Sequence, residues 1–166
     1  MSTRAKFYKA VIPGVISVFL VLLGSVNINI AGIASFVPLY LVMTVYFWSI
    51  YSPYYMPKWF VFLIGLFQDI LYGMPMGISA LLLLVLWGIV VSQRRHLTKE
   101  PFIVVWIMFV ITIGFYIVAE WLINSIYFGE LIFSPAIIMQ LIVSVLIYPL
   151  IHKLYEFIHT FFLKTN

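Results

Sequence analysis

Six apolar runs, each parted from the next by a few polar or turn-forming residues, take up almost this entire chain: about 10–26, 36–51, 58–72, 76–92, 101–124 and 134–153. A helix needs roughly 20 apolar residues, with a range of about 17 to 25, to cross the hydrocarbon of a bilayer. The chain also lacks the means to face water. Only 8% of its residues are charged and 65% are hydrophobic, against about 25% charged in soluble domains. The expectation is therefore an all-α integral membrane protein. It is a single domain over residues 1–166 with six transmembrane helices, and it leaves no room for a soluble domain of even ~50 residues.

Runs two to four are short. At ~1.5 Å per residue, 16 residues cover about 24 Å, less than the ~30 Å hydrocarbon core. These helices stand upright or thin the bilayer, or runs two and three form a re-entrant pair. Arg4, Lys6 and Lys9 before an apolar stretch, with Ala31-Gly-Ile-Ala34 beyond it, resemble a signal peptide. Since the rest of the chain spans the membrane as well, an uncleaved first helix is the simpler reading.

Charge orients the bundle. With the N-terminus in the cytosol, Arg4, Lys6, Lys9, Lys58, Arg94, Arg95, Lys99, Lys153 and Lys164 all fall on the inner side, and the outer loops carry Glu130. Cationic loops stay in the cytosol, so six spans with both termini cytoplasmic is the expected topology. The net charge of +4 then reports topology, and no basic face for nucleic acid is formed. With no cysteine, disulfides, thiolate metal sites and cysteine nucleophiles are excluded.

Tyr46, Phe47, Trp48, Tyr51, Tyr54, Tyr55, Trp59 and Phe60 bracket the second-to-third connection, as an interfacial aromatic belt would. Past His152, polar Lys153, Glu156, His159 and Thr160 alternate with Leu154, Phe157, Ile158, Phe161 and Phe162. At helical spacing this predicts a polar side turned to water, on a sixth helix running out of the membrane.

Two acids lie inside spans, Asp69 and Glu120. An Asp at the centre of a spanning helix costs about 2.5 to 3.5 kcal/mol on insertion scales, so each needs a reason to be there. Counting at ~1.5 Å per residue puts Asp69, Glu120 and Gln140 roughly 6 to 10 Å below the outer surface, with Asn124 one turn above Glu120. Together they make a candidate polar layer in the outer half. Asp69 sits in the stretch GLFQDILYGMPMGISAL. Pro75 is suited to open the following helix, and the free amides of Met76, Gly77 and Ile78 would then accept a carboxyl as a helix N-terminus accepts an anion. Gly73 suits the left-handed cap of the preceding helix, and Gly65 and Gly77 allow close backbone approach. Asp69 is expected to tie this hairpin shut, and Glu120 to be satisfied by Gln140 or Asn124.

No catalytic constellation, nucleotide loop or metalloprotease motif occurs, and no metal or cofactor is expected. His96, His152 and His159 fall on the inner side, far from both acids.

Residues 46–84 resemble the rod shape-determining protein MreD family. Phe47-Trp48 leads to Pro53, and Gly65-Leu66, Asp69, Leu71, Gly73, Gly77 and Ala80-Leu81 follow at the family's spacings. Trp48, Pro53, Gly65, Asp69, Gly73 and Gly77 are the motif positions. The resemblance implies a non-enzymatic component of the machinery that inserts peptidoglycan along the side wall. Its implied partners are MreC directly, and RodA, its partner transpeptidase and the MreB filament directly or indirectly. The alternative is a substrate-binding component of a vitamin uptake transporter, also a six-span protein, using the Asp69, Glu120 and Gln140 layer as an outward cavity. Such components share the expected architecture.

Overall fold

The computed structural model describes residues 38–129 and 135–163, together with Val15, Val18, Phe19 and Leu22. Among the described residues all regular structure is helical. The long helices are α1 (Tyr40–Tyr51), α2 (Lys58–Tyr72), α3 (Ile78–Leu97), α4 (Phe102–Phe128) and α5 (Pro135–Ile158), with a single 3-10 turn, Pro53–Tyr55, after α1 and a π-helical turn, His159–Leu163, after α5. Val15, Val18, Phe19 and Leu22 are helical and exposed, and the rest of the first expected span lies outside the described residues.

Prolines and glycines set the ends. Pro57 and Pro101 hold the positions just before α2 and α4, both with extended backbone, where their missing N–H has no helical bond to make. Ser52, placed before Pro53, ends α1, because a residue before proline avoids helical angles. Gly73 and Gly129 close α2 and α4 at φ 64° and 70°, a region that glycine enters without steric cost. The second, third and fourth expected runs find their helices at α1, α2 and α3. However, α3 begins two residues later than expected and runs on to Leu97, and α4 and α5 also outlast their expected ends.

Among the described residues three helices are long and apolar enough to cross a membrane: Ile78–Leu97, Phe102–Phe128 and Pro135–Phe161. At ~1.5 Å per residue the first is about 30 Å and the others about 40 Å long. α1, with 12 residues, is the buried centre. Residues 41–50 are all buried, and the helix packs on α3 and α5. A helix apolar on every side belongs inside. α2 packs on α3, α3 on α4, and α4 on α5.

The outward faces are apolar. On α4 Ile103, Ile107, Ile111, Phe115, Val118 and Leu122 form one exposed stripe, far larger than the apolar patches that water-soluble monomers tolerate. Inside are Thr44, Ser49, Asp69, Ser79, Ser144 and His152. They sit within a core that is itself mostly apolar, so the bundle is apolar outside as well as inside, with its few polar groups turned in, as lipid demands.

Two sequence expectations are corrected here. Tyr46, Phe47 and Trp48 form no interfacial belt, since they are 0–1% exposed; only the later members Tyr54 and Trp59 are largely open. The composition of a belt and of an aromatic core is the same, and position in the bundle separates them. The tail is corrected in part. Lys153, Glu156 and Thr160 are exposed as expected, beside Leu154, Phe157 and Phe161. His152 and Tyr155 face inward instead, and Tyr155 and His159 find partners on α1 and at its C-cap.

Candidate functional site

Asp69 lies three residues before the end of α2 and is fully buried. Its Oδ2 accepts a hydrogen bond from the Gly77 N–H at 2.8 Å and its Oδ1 one from the Ser79 N–H at 3.1 Å. Gly77 stands at the N-cap of α3, where the first amides of a helix lack intrahelical partners. Serine, threonine or aspartate normally supplies the capping oxygen from the N-cap itself. Gly77 has no side chain, so Asp69 supplies it from the preceding helix. Of the three amides that the sequence offers, Met76, Gly77 and Ile78, one is used. The second donor is Ser79, because Pro75 lies in the connection and α3 starts only at Ile78.

The backbone of Asp69 serves the same corner. Its carbonyl accepts from the Met74 N–H at 3.0 Å, and Gly73 N–H reaches Ile70 O at 3.4 Å. That pair of bonds around a left-handed glycine is a Schellman cap. One residue thus ends α2 through its carbonyl and starts α3 through its carboxyl. Gly77 at φ 99° completes the turn.

Deeper along the hairpin, Gly65 faces Ala80. A Cβ on Gly65 would lie 2.5 Å from the Ala80 Cα and 2.9 Å from its nitrogen. Between helices in lipid, association rests on close packing and hydrogen bonds more than on apolar burial, and this contact lets the two backbones meet.

The rest of the expected polar layer is only partly assembled. Glu120, on α4, is partly buried and within electrostatic reach of Asp69. Asn124, one turn on, holds its Oδ1 buried without a hydrogen-bond partner. Gln140 is partly buried on α5. Among the described residues three more buried oxygens make no well-formed hydrogen bond, Ser49 Oγ, Gln68 Oε1 and Tyr116 OH, although Tyr116 has Ser79 beside it. None was singled out from sequence, where a lone serine, amide or tyrosine in an apolar helix gives no signal.

A second polar cluster joins α1 to α5 at the other end. Thr44 Oγ1 and Tyr155 OH are 2.6 Å apart, Ser52 Oγ and His159 Nε2 2.9 Å, and Tyr148 OH and His152 Nδ1 3.3 Å. Leu39 N–H, at the N-cap of α1, donates to Ser144 Oγ at 3.0 Å. The rings of Phe47, Tyr51, Phe102 and Tyr148 surround His152 at 4.9–5.7 Å. Trp48 rests on Tyr155 and His159, and Pro53 opens the turn that follows. Tyr148, His152, Tyr155 and His159 form one stripe at i, i+4, i+7 and i+11, which the sequence reading missed by grouping the two histidines with Lys153 and Glu156. His152, Glu156 and His159 build no metal site: among the described residues no group of three such ligands is positioned to hold an ion.

The fold and these two clusters define an all-helical membrane protein whose buried polar groups lock helices to one another. The chain belongs to the rod shape-determining protein MreD family, which matches residues 5–158 of its 166. No curated protein and no solved structure gives a match. Membership carries a role in the determination of rod shape.

Proposed function

We propose that this chain is a non-enzymatic, six-pass scaffold of the bacterial inner membrane, a single domain with both termini cytoplasmic. It supports side-wall peptidoglycan synthesis by binding MreC directly, and RodA, its partner transpeptidase and MreB directly or through MreC. The family match over residues 5–158 is the observation that carries this reading. The use of the buried acid supports it. Asp69 is taken up by the hairpin, which suits a rigid shape presented to partners better than a path for ions. The motif positions Gly65, Asp69, Gly73 and Gly77 act as the corner that sets the angle of α2 on α3.

The test is capture of MreC from membranes of cells whose only copy of this protein is tagged, together with cell shape. MreC should be retained by the wild type, and Asp69→Ala should lose both capture and rod form. A tightly held metabolite, uptake of that metabolite with an energising module, and no MreC would overturn the proposal in favour of the transporter reading.

A further inference from the structure

A cleft of about 200 Å³ lies between α3 and α4, away from the hairpin. Its floor is the buried trio Tyr46, Val90 and Leu97, and its open rim carries Ile89 and Phe115. On α3 it runs from Ile89 to Leu97, about 12 Å along the axis at ~1.5 Å per residue. The slot is narrow and mostly apolar, and it opens beside the exposed apolar stripe of α4 at Ile111 and Phe115.

Its shape limits the occupant. Pockets for drug-sized ligands measure about 300–1,000 Å³, and a helix with side chains is about 10–12 Å across. The cleft is too small for either. A single hydrocarbon chain lying parallel to the helices fits it. Charge then selects the kind of lipid. The cleft ends at Leu97, in the turn that holds Arg94, Arg95 and Lys99 against a single acid, Glu100. Arg95 and Lys99 are exposed and Arg94 is partly so. Gln93, on the cleft wall, directly precedes Arg94 and adds a polar group beside that basic end. Basic groups at the mouth of a cleft between membrane helices bind anionic headgroups.

We propose that this cleft seats part of one acyl chain of an anionic phospholipid, with Arg94, on the cleft side of the last turn, and Lys99 just beyond the helix binding its phosphate. The site uses none of the hairpin residues.

The test is native mass spectrometry of the full chain in neutral detergent, titrated with phosphatidylglycerol and with phosphatidylcholine of the same tails. Phosphatidylglycerol should bind at least tenfold tighter. Arg94→Gln with Lys99→Gln should weaken it about tenfold or more, Ile89→Trp should displace it, and Lys153→Gln on α5 should leave it unchanged. On the unaltered protein, phosphatidylglycerol with a photoreactive tail should label segments 89–97 and 108–115. Equal affinity for the two lipids, an equal loss with Lys153→Gln, or labelling spread over the bundle would each overturn the proposal. So would Ile89→Trp if it released a protein partner while lipid binding persisted, since the cleft would then be a seat for that partner.

Discussion

Asp69 shows what a buried carboxyl is worth when both of its oxygens are occupied. Removing it strands the amides of Gly77 and Ser79, and each buried donor left without a partner costs about 1–3 kcal/mol. Asp69→Ala should therefore lower stability in detergent by about 2–5 kcal/mol, measured by thermal or denaturant unfolding. Asp69→Asn keeps one acceptor and turns a donor toward a donor, so a loss of about half that size is expected. If both variants melt with the wild type, the clamp carries no weight. Gly65 gives a sharper case. The atoms that its missing Cβ would strike are the Ala80 backbone, so the helices themselves must part. Gly65→Ala should cost about 1–3 kcal/mol, as overpacking does. Ala80→Gly should fail to rescue it, because the Cα and nitrogen remain. Gly73 differs again: a Cβ there meets nothing within 4 Å, so only the left-handed backbone resists. Gly73→Asn should be milder than Gly73→Ala, since asparagine tolerates that region.

At the scale of elements, the bundle repairs its own defects across helix boundaries. Pro149 inside α5 has no N–H to give to the carbonyl four residues earlier. That carbonyl, Val145 O, accepts from the Trp106 indole of α4 at 3.2 Å. Trp87 likewise reaches Met56 O at 3.0 Å and pins the α1–α2 connection to α3. Trp106→Phe should destabilise the wild type by about 1 kcal/mol and the Pro149→Ala variant by less, because residue 149 would then supply the missing N–H. A double-mutant cycle by unfolding reads the difference. The Thr44–Tyr155 bond should show a coupling of about 0.6 kcal/mol, the mean for side-chain hydrogen bonds between membrane helices, when Thr44→Val and Tyr155→Phe are combined.

For the whole molecule, the absence of cysteine makes the proposed topology directly measurable. Single cysteines at positions 2, 99 and 166 should resist a membrane-impermeant maleimide added to intact cells, and one at Gly129 should react. Labelling of positions 2 and 166 from opposite sides would contradict an even number of spans. The proposed topology comes from the placement of nine cations, whereas the assembly that the bundle serves depends on surfaces that no such count describes. The family relation was open to a sequence reader because Gly65, Asp69, Gly73 and Gly77 are residues whose identity is dictated by backbone geometry. A polar layer joining Glu120, Asn124 and Gln140 was inferred from depth alone. Depth says nothing of which way each helix is turned; the structure brings Glu120 and Tyr116 within electrostatic reach of Asp69.

The order of residues alone determined the membrane solvent, the positions of α1 to α5 and the corner at Asp69. Each of these depends on local facts: the length of an apolar run, a proline without its N–H, a glycine free to take positive φ. Only the tertiary structure decided that Tyr46, Phe47 and Trp48 lie at the centre of the bundle and not at its edge, and that His152 and His159 turn inward. In lipid an aromatic side chain is at home on either face of a helix. Which face is buried is settled by the polar neighbours that must find each other across the interior, Thr44 with Tyr155 and Ser52 with His159.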